Sequence, residues 1–494
     1  MKLNSYNQLK EIFTKVSISS DIEGILHWDM STMMPSNSRN NRANQLGFIA
    51  NLKHSLLSDP KVSDLIAKVD INQLSKDDLA NFKEMQREHI LLSSLPADLV
   101  EAISKTSALC EGKWKEAKKN CDFGIVKDDL NELINLSKQE SQILGEKLNC
   151  SPYEGLIQKY EPYSNVENIT KIFEDLEIFL VSSIDKIIEI QKKESVLFIK
   201  DQLSSLDQHK IAKILMKTIG FDFSKGRLDV SEHPFCGGAT DDVRITTRYS
   251  EQDPFTSLEG VMHETGHALY EMGLPLNWQH QPVGKSRGMA MHESQSLLIE
   301  MQITRSLAFK KYLSRVLKKY LNLNGKQWSA ENLYLLGTRV NKTYIRVEAD
   351  EVTYPLHIIM RFNLEKKIIN ENLHTKDIPE AWNAEYKKMF NKNVDKDTNG
   401  CLQDIHWYAG LIGYFPTYTL GALASAQFVD TMRKEIPKLD QEMEDGNFKD
   451  LISWLRRNIH QKASFFSTNE ILEQVTKGTL NAKYFRNYIT NRYL

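Results

Sequence analysis

The chain has 494 residues, 41% hydrophobic and 26% charged, with a formal net charge of −2. This is ordinary globular composition, and it supplies no electrostatic grip on nucleic acid or an anionic membrane. The length exceeds what one core usually holds, so two to four domains are the simple expectation.

The opening MKLNSYNQLKEIF lacks an apolar h-region and a small-residue cleavage site, so no signal peptide is expected. No apolar run is long enough to span a bilayer. The five cysteines, Cys110, Cys121, Cys150, Cys236 and Cys401, are scattered and show no CxxC spacing. A disulfide framework or thiolate metal site is not expected, and a reducing cytoplasm is the default location.

Helical periodicity recurs through residues 38–57, 75–93 and 123–146. It is clearest over 165–190, where Ile169, Ile172, Phe173, Leu176, Phe179, Leu180, Ile184, Ile187 and Ile188 form one buried stripe. The pattern changes at 226–250. Val243, Ile245, Thr247 and Tyr249 alternate with Arg244, Thr246 and Arg248, which predicts a strand, paired as a hairpin within the same segment. Helical patterns resume over 297–321 and 378–392. No clean linker, low-complexity tract or fixed-period repeat interrupts them. The expected fold is therefore mainly α: one large helical body over 1–494 with a small β-sheet element near 226–250.

Directly after the strand comes VMHETGHALY, residues 261–270. Thr256-Ser-Leu-Glu259 reads as a capping box for a helix starting near Ser257, and Gly273 and Pro275 supply a stop. Leu258, Val261, Met262, Leu269 and Met272 give that helix an apolar face. His263 and His267 then lie one turn apart on one side, where both imidazoles reach a single ion. Glu264 points about 100° away and can hold a water without taking a coordination position. The competing reading is two satisfied histidines on an ordinary helix. A catalytic zinc takes three protein ligands and leaves the fourth position to water. On the next helix, 291–303, Glu293 is the first choice, with Glu300 two turns further on and Glu271, on the first helix at i+4 from His267, as alternatives and His292 as a supporting partner. With such a site, zinc activates water, and Glu264 takes its proton and passes it to the leaving amine.

Further motifs appear in order along the chain: His233-Pro-Phe235, Asp242-Val-Arg-Ile-Thr246, His292 to Gln295, Ile345-Arg-Val-Glu-Ala-Asp350, Gly400 to Trp407, and Gly413 to Gly421. Trp28-Asp29 and Met34-Pro35 precede them. Together with the HExxH stretch they resemble the thermostable carboxypeptidase Taq family of zinc metallocarboxypeptidases, over about residues 20–425. The resemblance implies a nearly all-helical peptidase with a deep groove, usually a homodimer. It implies release of single C-terminal residues from peptides, with broad side-chain tolerance and poor release of proline. It implies His263, His267 and Glu293 as metal ligands, for Zn2+ with Co2+ as a substitute, and Glu264 as general base and acid.

A carboxypeptidase must bind a terminal carboxylate, for which an arginine fork suits best. Arg346 is the first candidate, with Asp350 as its expected ion-pair neighbour, and Arg244 the second, with Asp242 beside it. Tyr418 is the leading oxyanion donor, and His406 and Tyr414 are placed on the substrate backbone. His233 and Gln403 are pocket candidates, Cys236 and Cys401 packed thiols. Strand 243–249 offers an edge for an extended peptide. The other readings are an oligopeptidase or dipeptidyl carboxypeptidase with the same metal chemistry, and a non-catalytic peptide-binding protein.

Overall fold

The computed structural model describes residues 2–371 and 373–494. Among these, α-helices alternate with short 3-10 turns, and one three-stranded sheet is inserted between the helices Ser205–Ile219 and Pro254–Glu271. The periodic segments of the sequence appear as helices Arg39–Ser58, Lys76–Ser93, Lys127–Leu148, Val166–Gln191 and Ile378–Phe390. Side chains cap several of them: Ser75 accepts from the Asp78 N–H and Asn165 from the Asn168 N–H. The 297–321 pattern is not one helix. A π-helix, Leu298–Thr304, ends at Arg305, and Ser306 caps a new α-helix, Leu307–Leu321.

The sheet contains β1 (Gly226–Val230), β2 (Phe235–Ala239) and β3 (Asp242–Thr247), in the order β1-β3-β2. β2 and β3 form the expected antiparallel hairpin, and β1 pairs parallel with β3. This order corrects one expectation. β3 is the central strand, hydrogen-bonded on both sides, so it has no edge to offer a peptide. The β hydrogen bonding also ends at Thr247, two residues before Tyr249.

Two large apolar cores pack the body. One gathers the helices around 127–191, 354–390 and 483–493, and the other those around 205–219, 307–321 and 439–476. Two helices serve both. In Gly288–Leu297, Ala290 and Leu297 face the first core and Met291 the second. In Pro416–Glu435, Leu420, Leu423 and Ala426 face the first and Ala424, Phe428 and Val429 the second. These shared helices are held from both sides, which makes them a rigid support for polar groups.

Candidate active site

The helix carrying HETGH begins earlier than its apparent capping box. Asp253 is the N-cap: its carboxylate accepts from the Thr256 N–H at 3.2 Å and hydroxyl at 2.6 Å, and Pro254 fills the first turn. Glu259 is instead paired with Arg305 at 3.1 Å and with Lys310 at 3.6 Å. Two glycines set the spacing of the helices at the site. A Cβ on Gly266 would lie 2.5 Å from the Gln295 carbonyl oxygen, and one on Gly421 2.8 Å from the Glu293 Cβ. Without side chains at these points, Pro254–Glu271 and Pro416–Glu435 both press directly against the helix that carries Glu293.

Three side chains converge as a result. Ligand atoms of His263, His267 and Glu293 all lie within 4.8 Å of one another. Glu293 Oε2 is 3.7 Å from His263 Nε2 and 3.4 Å from His267 Nε2. Each imidazole is oriented from its far side. His263 Nδ1 meets Glu300 Oε2 at 2.8 Å, and His267 Nδ1 meets the His292 backbone oxygen at 3.1 Å. Acceptors on Nδ1 leave the Nε2 lone pairs facing Glu293, the orientation that metal-bound histidines require. Burial opposes a charge on Glu293, yet His263 and His267 hold its carboxyl down at about 2. Against the effect of burial, Glu293 and Glu300 raise the His263 pKa to about 10, so a metal ion must displace that proton; two imidazole nitrogens and one carboxylate oxygen then fit a zinc-like ion with an open fourth position.

The alternatives to Glu293 have other partners. Glu300 is engaged with His263 and Arg305, and Glu271 accepts from His292 Nε2 at 2.7 Å. Glu264 is almost fully buried beside the cluster. Burial pushes its carboxyl up to about 7, against the pull of the His263 charge. A carboxyl poised there can accept and return a proton near neutral pH.

Across from these groups lies a second polar chain. Asp404 accepts from Arg346 Nε at 2.6 Å, and its other oxygen meets His406 Nδ1 at 2.6 Å. Arg361 Nη2 lies 3.5 Å away. Burial disfavours the Asp404 charge, but Arg346, His406 and Arg361 hold it well below the usual carboxylate range. With Nδ1 of His406 donating to Asp404, Nε2 is free to accept from the Tyr418 hydroxyl at 3.1 Å. Burial lowers the His406 pKa, which keeps the ring neutral. Asp350 is not the partner of Arg346: its carboxylate accepts from the backbone of Asn341, Val352 and Thr353.

One residue absent from the sequence reading joins this group. Tyr354 accepts from Arg346 Nη1 at 3.1 Å and packs edge-on to Tyr418 at 6.1 Å. Burial raises the pKa of the Tyr354, Tyr414 and Tyr418 phenols, and the Glu293 charge adds to each shift. All three are therefore neutral phenols within electrostatic reach of Glu293. The Tyr354 signal was its place four residues after the motif ending at Asp350.

The remaining candidates lie differently. One edge of the Arg244 guanidinium, Nε and Nη2, is bound to Asp242, and Trp28 stacks on it at 4.2 Å. Gln403 spends its amide inside the protein, accepting from Arg346 N and Arg361 Nη2 and donating to the Tyr344 and Asn399 carbonyls. His233 is exposed on the β1–β2 connection, where only its carbonyl is bonded. Cys236 is a partly buried thiol on β2. Burial raises its pKa, with Glu264 and Glu271 nearby adding to the shift. Cys401 is buried.

The profile of the carboxypeptidase Taq (M32) metallopeptidase family matches residues 8–493. The chain belongs to that family. It is 33% identical over 477 residues to thermostable carboxypeptidase 1 of Pyrococcus furiosus, covering 96% of this chain and 95% of that one. The Thermus thermophilus protein of the same name is 31% identical, with 99% and 98% covered. Among solved structures, metallocarboxypeptidase 1 of Trypanosoma cruzi superposes with a TM-score of 0.97 at 34% identity, covering 99% of each chain. The M32 chain is thus a metallocarboxypeptidase, a hydrolase of peptide bonds that carries a metal cofactor. Among the described residues, no helix is long and apolar enough to cross a membrane.

Proposed function

We propose that this M32 member is a zinc-dependent carboxypeptidase that releases single C-terminal amino acids from peptides with broad specificity, and that residues 1–494 act as one catalytic domain. The observation that carries the reading is the convergence of His263, His267 and Glu293 beside a buried Glu264. His263, His267 and Glu293 would hold the ion, with Zn2+ as the native metal and Co2+ as a substitute. When bound, such an ion acts as a Lewis acid and lowers the pKa of a bound water to about 7.

The chain's own residues supply the rest. Glu264 accepts the proton of the attacking water and delivers it to the leaving amine. Arg346, backed by Asp404 and flanked by the Tyr354 hydroxyl, receives the terminal carboxylate of the peptide. Arg244 is the second choice for this role, since its Nε and Nη2 are held by Asp242 and it is Arg346 that packs against the Tyr418 ring. Tyr418 is the oxyanion donor: its hydroxyl hydrogen turns from His406 Nε2 toward the oxygen on which charge develops. His406 fixes the starting position of that hydroxyl, and Tyr414 lines the substrate backbone. Gln403 positions Arg346 and Arg361 without meeting substrate, and His233 remains a candidate for the outer part of the pocket. The scattered free cysteines favour a reducing, cytoplasmic setting, and the family resemblance favours a homodimer.

The test is Glu264→Gln, which keeps size and removes the base. It should bind zinc as the wild type does and lose about 10²–10⁴-fold in kcat. A fully active variant would remove Glu264 from the mechanism, and a variant that no longer binds zinc would place Glu264 among the ligands.

A further inference from the structure

The helix that carries Glu293 leaves α geometry just beyond it. From Leu298 to Thr304 the chain winds as a π-helix, a rare and wider form that tends to occur at functional sites. Glu300 lies within this segment. Its carboxylate bridges His263 Nδ1 at 2.8 Å and Arg305 Nη2 at 2.7 Å. The segment closes unevenly. Arg305 N returns to Glu300 O at 3.2 Å, but Ser306 N turns to Ile303 O at 3.0 Å and does not reach back to Met301.

The Met301 carbonyl finds its donor elsewhere. From the helix Lys483–Tyr493, Arg492 Nη1 donates to that oxygen at 3.0 Å, with the Tyr488 oxygen 3.1 Å from it. Tyr488 gives its single hydrogen to the fully buried Glu351 at 2.7 Å, and the second hydrogen of Arg492 Nη1 reaches Glu351 at 2.9 Å, where Tyr493 OH joins them. Glu351 therefore holds Tyr488 and Arg492 in place over Met301. Met301 is the residue next to Glu300, and Glu300 orients the proposed metal ligand His263.

We infer that the Lys483–Tyr493 helix is a metal-retention clamp: by capping the Met301 carbonyl, Arg492, held in place by the Glu351 carboxylate that Tyr488 also bonds, keeps the π segment open and holds Glu300 on Nδ1 of His263. The α-helix is the ordinary alternative for this stretch. Relaxing one π turn to α removes a residue from that turn and rotates the residues beyond it by about 100°. Glu300 would leave His263, and the imidazole would lose the anion that fixes its orientation. Removing such an outer partner typically weakens metal binding by about 10–100-fold. Tyr488 and Arg492 are thus positioning residues that act through Met301 and Glu300. The inference rests on the proposed ligand set.

The experiment follows zinc release from the loaded, full-length enzyme into excess chromogenic chelator. Tyr488→Phe and Arg492→Met should each speed release by about three- to tenfold, and Glu300→Gln by about 10–100-fold. Arg492→Lys keeps one donor and should stay close to wild type. In the Glu300→Gln background, Arg492→Met should add nothing, because the group it positions is already altered. Unchanged release in Tyr488→Phe and Arg492→Met would overturn the clamp, as would equal acceleration by Arg492→Met in both backgrounds. Should Arg492→Met fail to fold, Tyr488→Phe removes a single oxygen and carries the same comparison. Undiminished zinc binding by His263→Ala is a separate result: it overturns the ligand set, and the clamp with it.

Discussion

Gly266→Ala tests whether the two ligand-bearing helices must touch. A methyl group at this position would lie 2.5 Å from the Gln295 oxygen, 2.6 Å from the Ser296 Cα and 3.0 Å from the Gln295 carbonyl carbon. All three are backbone atoms, so no side chain can swing aside. Ordinary contact begins near 3.4 Å, so the helices must part by close to 1 Å. Overpacking of this kind costs about 1–3 kcal/mol, and the better helix propensity of alanine returns at most about 1 kcal/mol. Metal coordination tolerates displacements of only about 0.2 Å. The separation should therefore weaken cobalt binding by about tenfold or more. Gly260 is the control. It lies on the same helix, and a Cβ there would meet nothing within 4 Å, so Gly260→Ala should be neutral or stabilise by up to about 1 kcal/mol. Urea-unfolding midpoints of the chelator-treated proteins and cobalt affinities by competition read both effects. If Gly266→Ala matches Gly260→Ala in both measurements, the helices are not in direct backbone contact at the site.

Arg346→Ala should raise KM for free-acid peptides by about tenfold or more, the worth of a charge-assisted hydrogen bond, and unchanged kinetics would move carboxylate binding to Arg244. Asp404→Asn should lower both activity and stability, because it strands a buried Arg346; breaking such pairs costs about 3–5 kcal/mol, and a variant as stable as wild type would contradict the network. Glu365 supplies a pH test. Burial raises its carboxyl to about 7 despite bonds from Tyr153, Trp407 and the Gly413 N–H. A raised pKa means the folded state holds the proton more tightly. Its contribution is therefore full below about 4.5 and is lost as pH climbs to 7, up to about 3 kcal/mol. Glu365→Gln should flatten that part of the stability–pH curve, and an unchanged slope would assign the dependence elsewhere.

The convergence of His263 and His267 was legible because their spacing along one helix already fixes their geometry: they need only a helix to share a face. The long amphipathic helices were legible for the same reason. The features that escaped were set by partners distant in sequence. Thr256 and Glu259 have capping-box spacing, but Pro254 fits the first helical turn and Asp253 takes the cap, which frees Glu259 to pair with Arg305 and Lys310. Asp350 is nearer to Arg346 in sequence than Asp404, yet backbone donors occupy it and leave Arg346 to a residue 58 positions on. Glu293 was the first choice over Glu300 and Glu271, and the structure separates them by partners the spacing does not show: Glu300 is engaged with His263 and Arg305, Glu271 with His292, and Gly266 and Gly421 let two helices close on Glu293. The π segment has no signature in the apolar pattern of 297–321, because nearly all of its residues are buried and burial there carries no period. β3 showed its alternation but not its two neighbours, so its edge was counted as free.

The most direct measurement of the central claim is product mass spectrometry on a free-acid peptide and its C-terminal amide, with and without chelator. The account predicts a ladder shortened one residue at a time from the free acid alone, abolished by chelator and restored by zinc or cobalt. Cleavage of the amide at the same rate, or release of internal or two-residue pieces, would contradict single-residue carboxypeptidase action, and a metal-loaded protein that cleaves neither peptide would contradict the catalytic reading of the site.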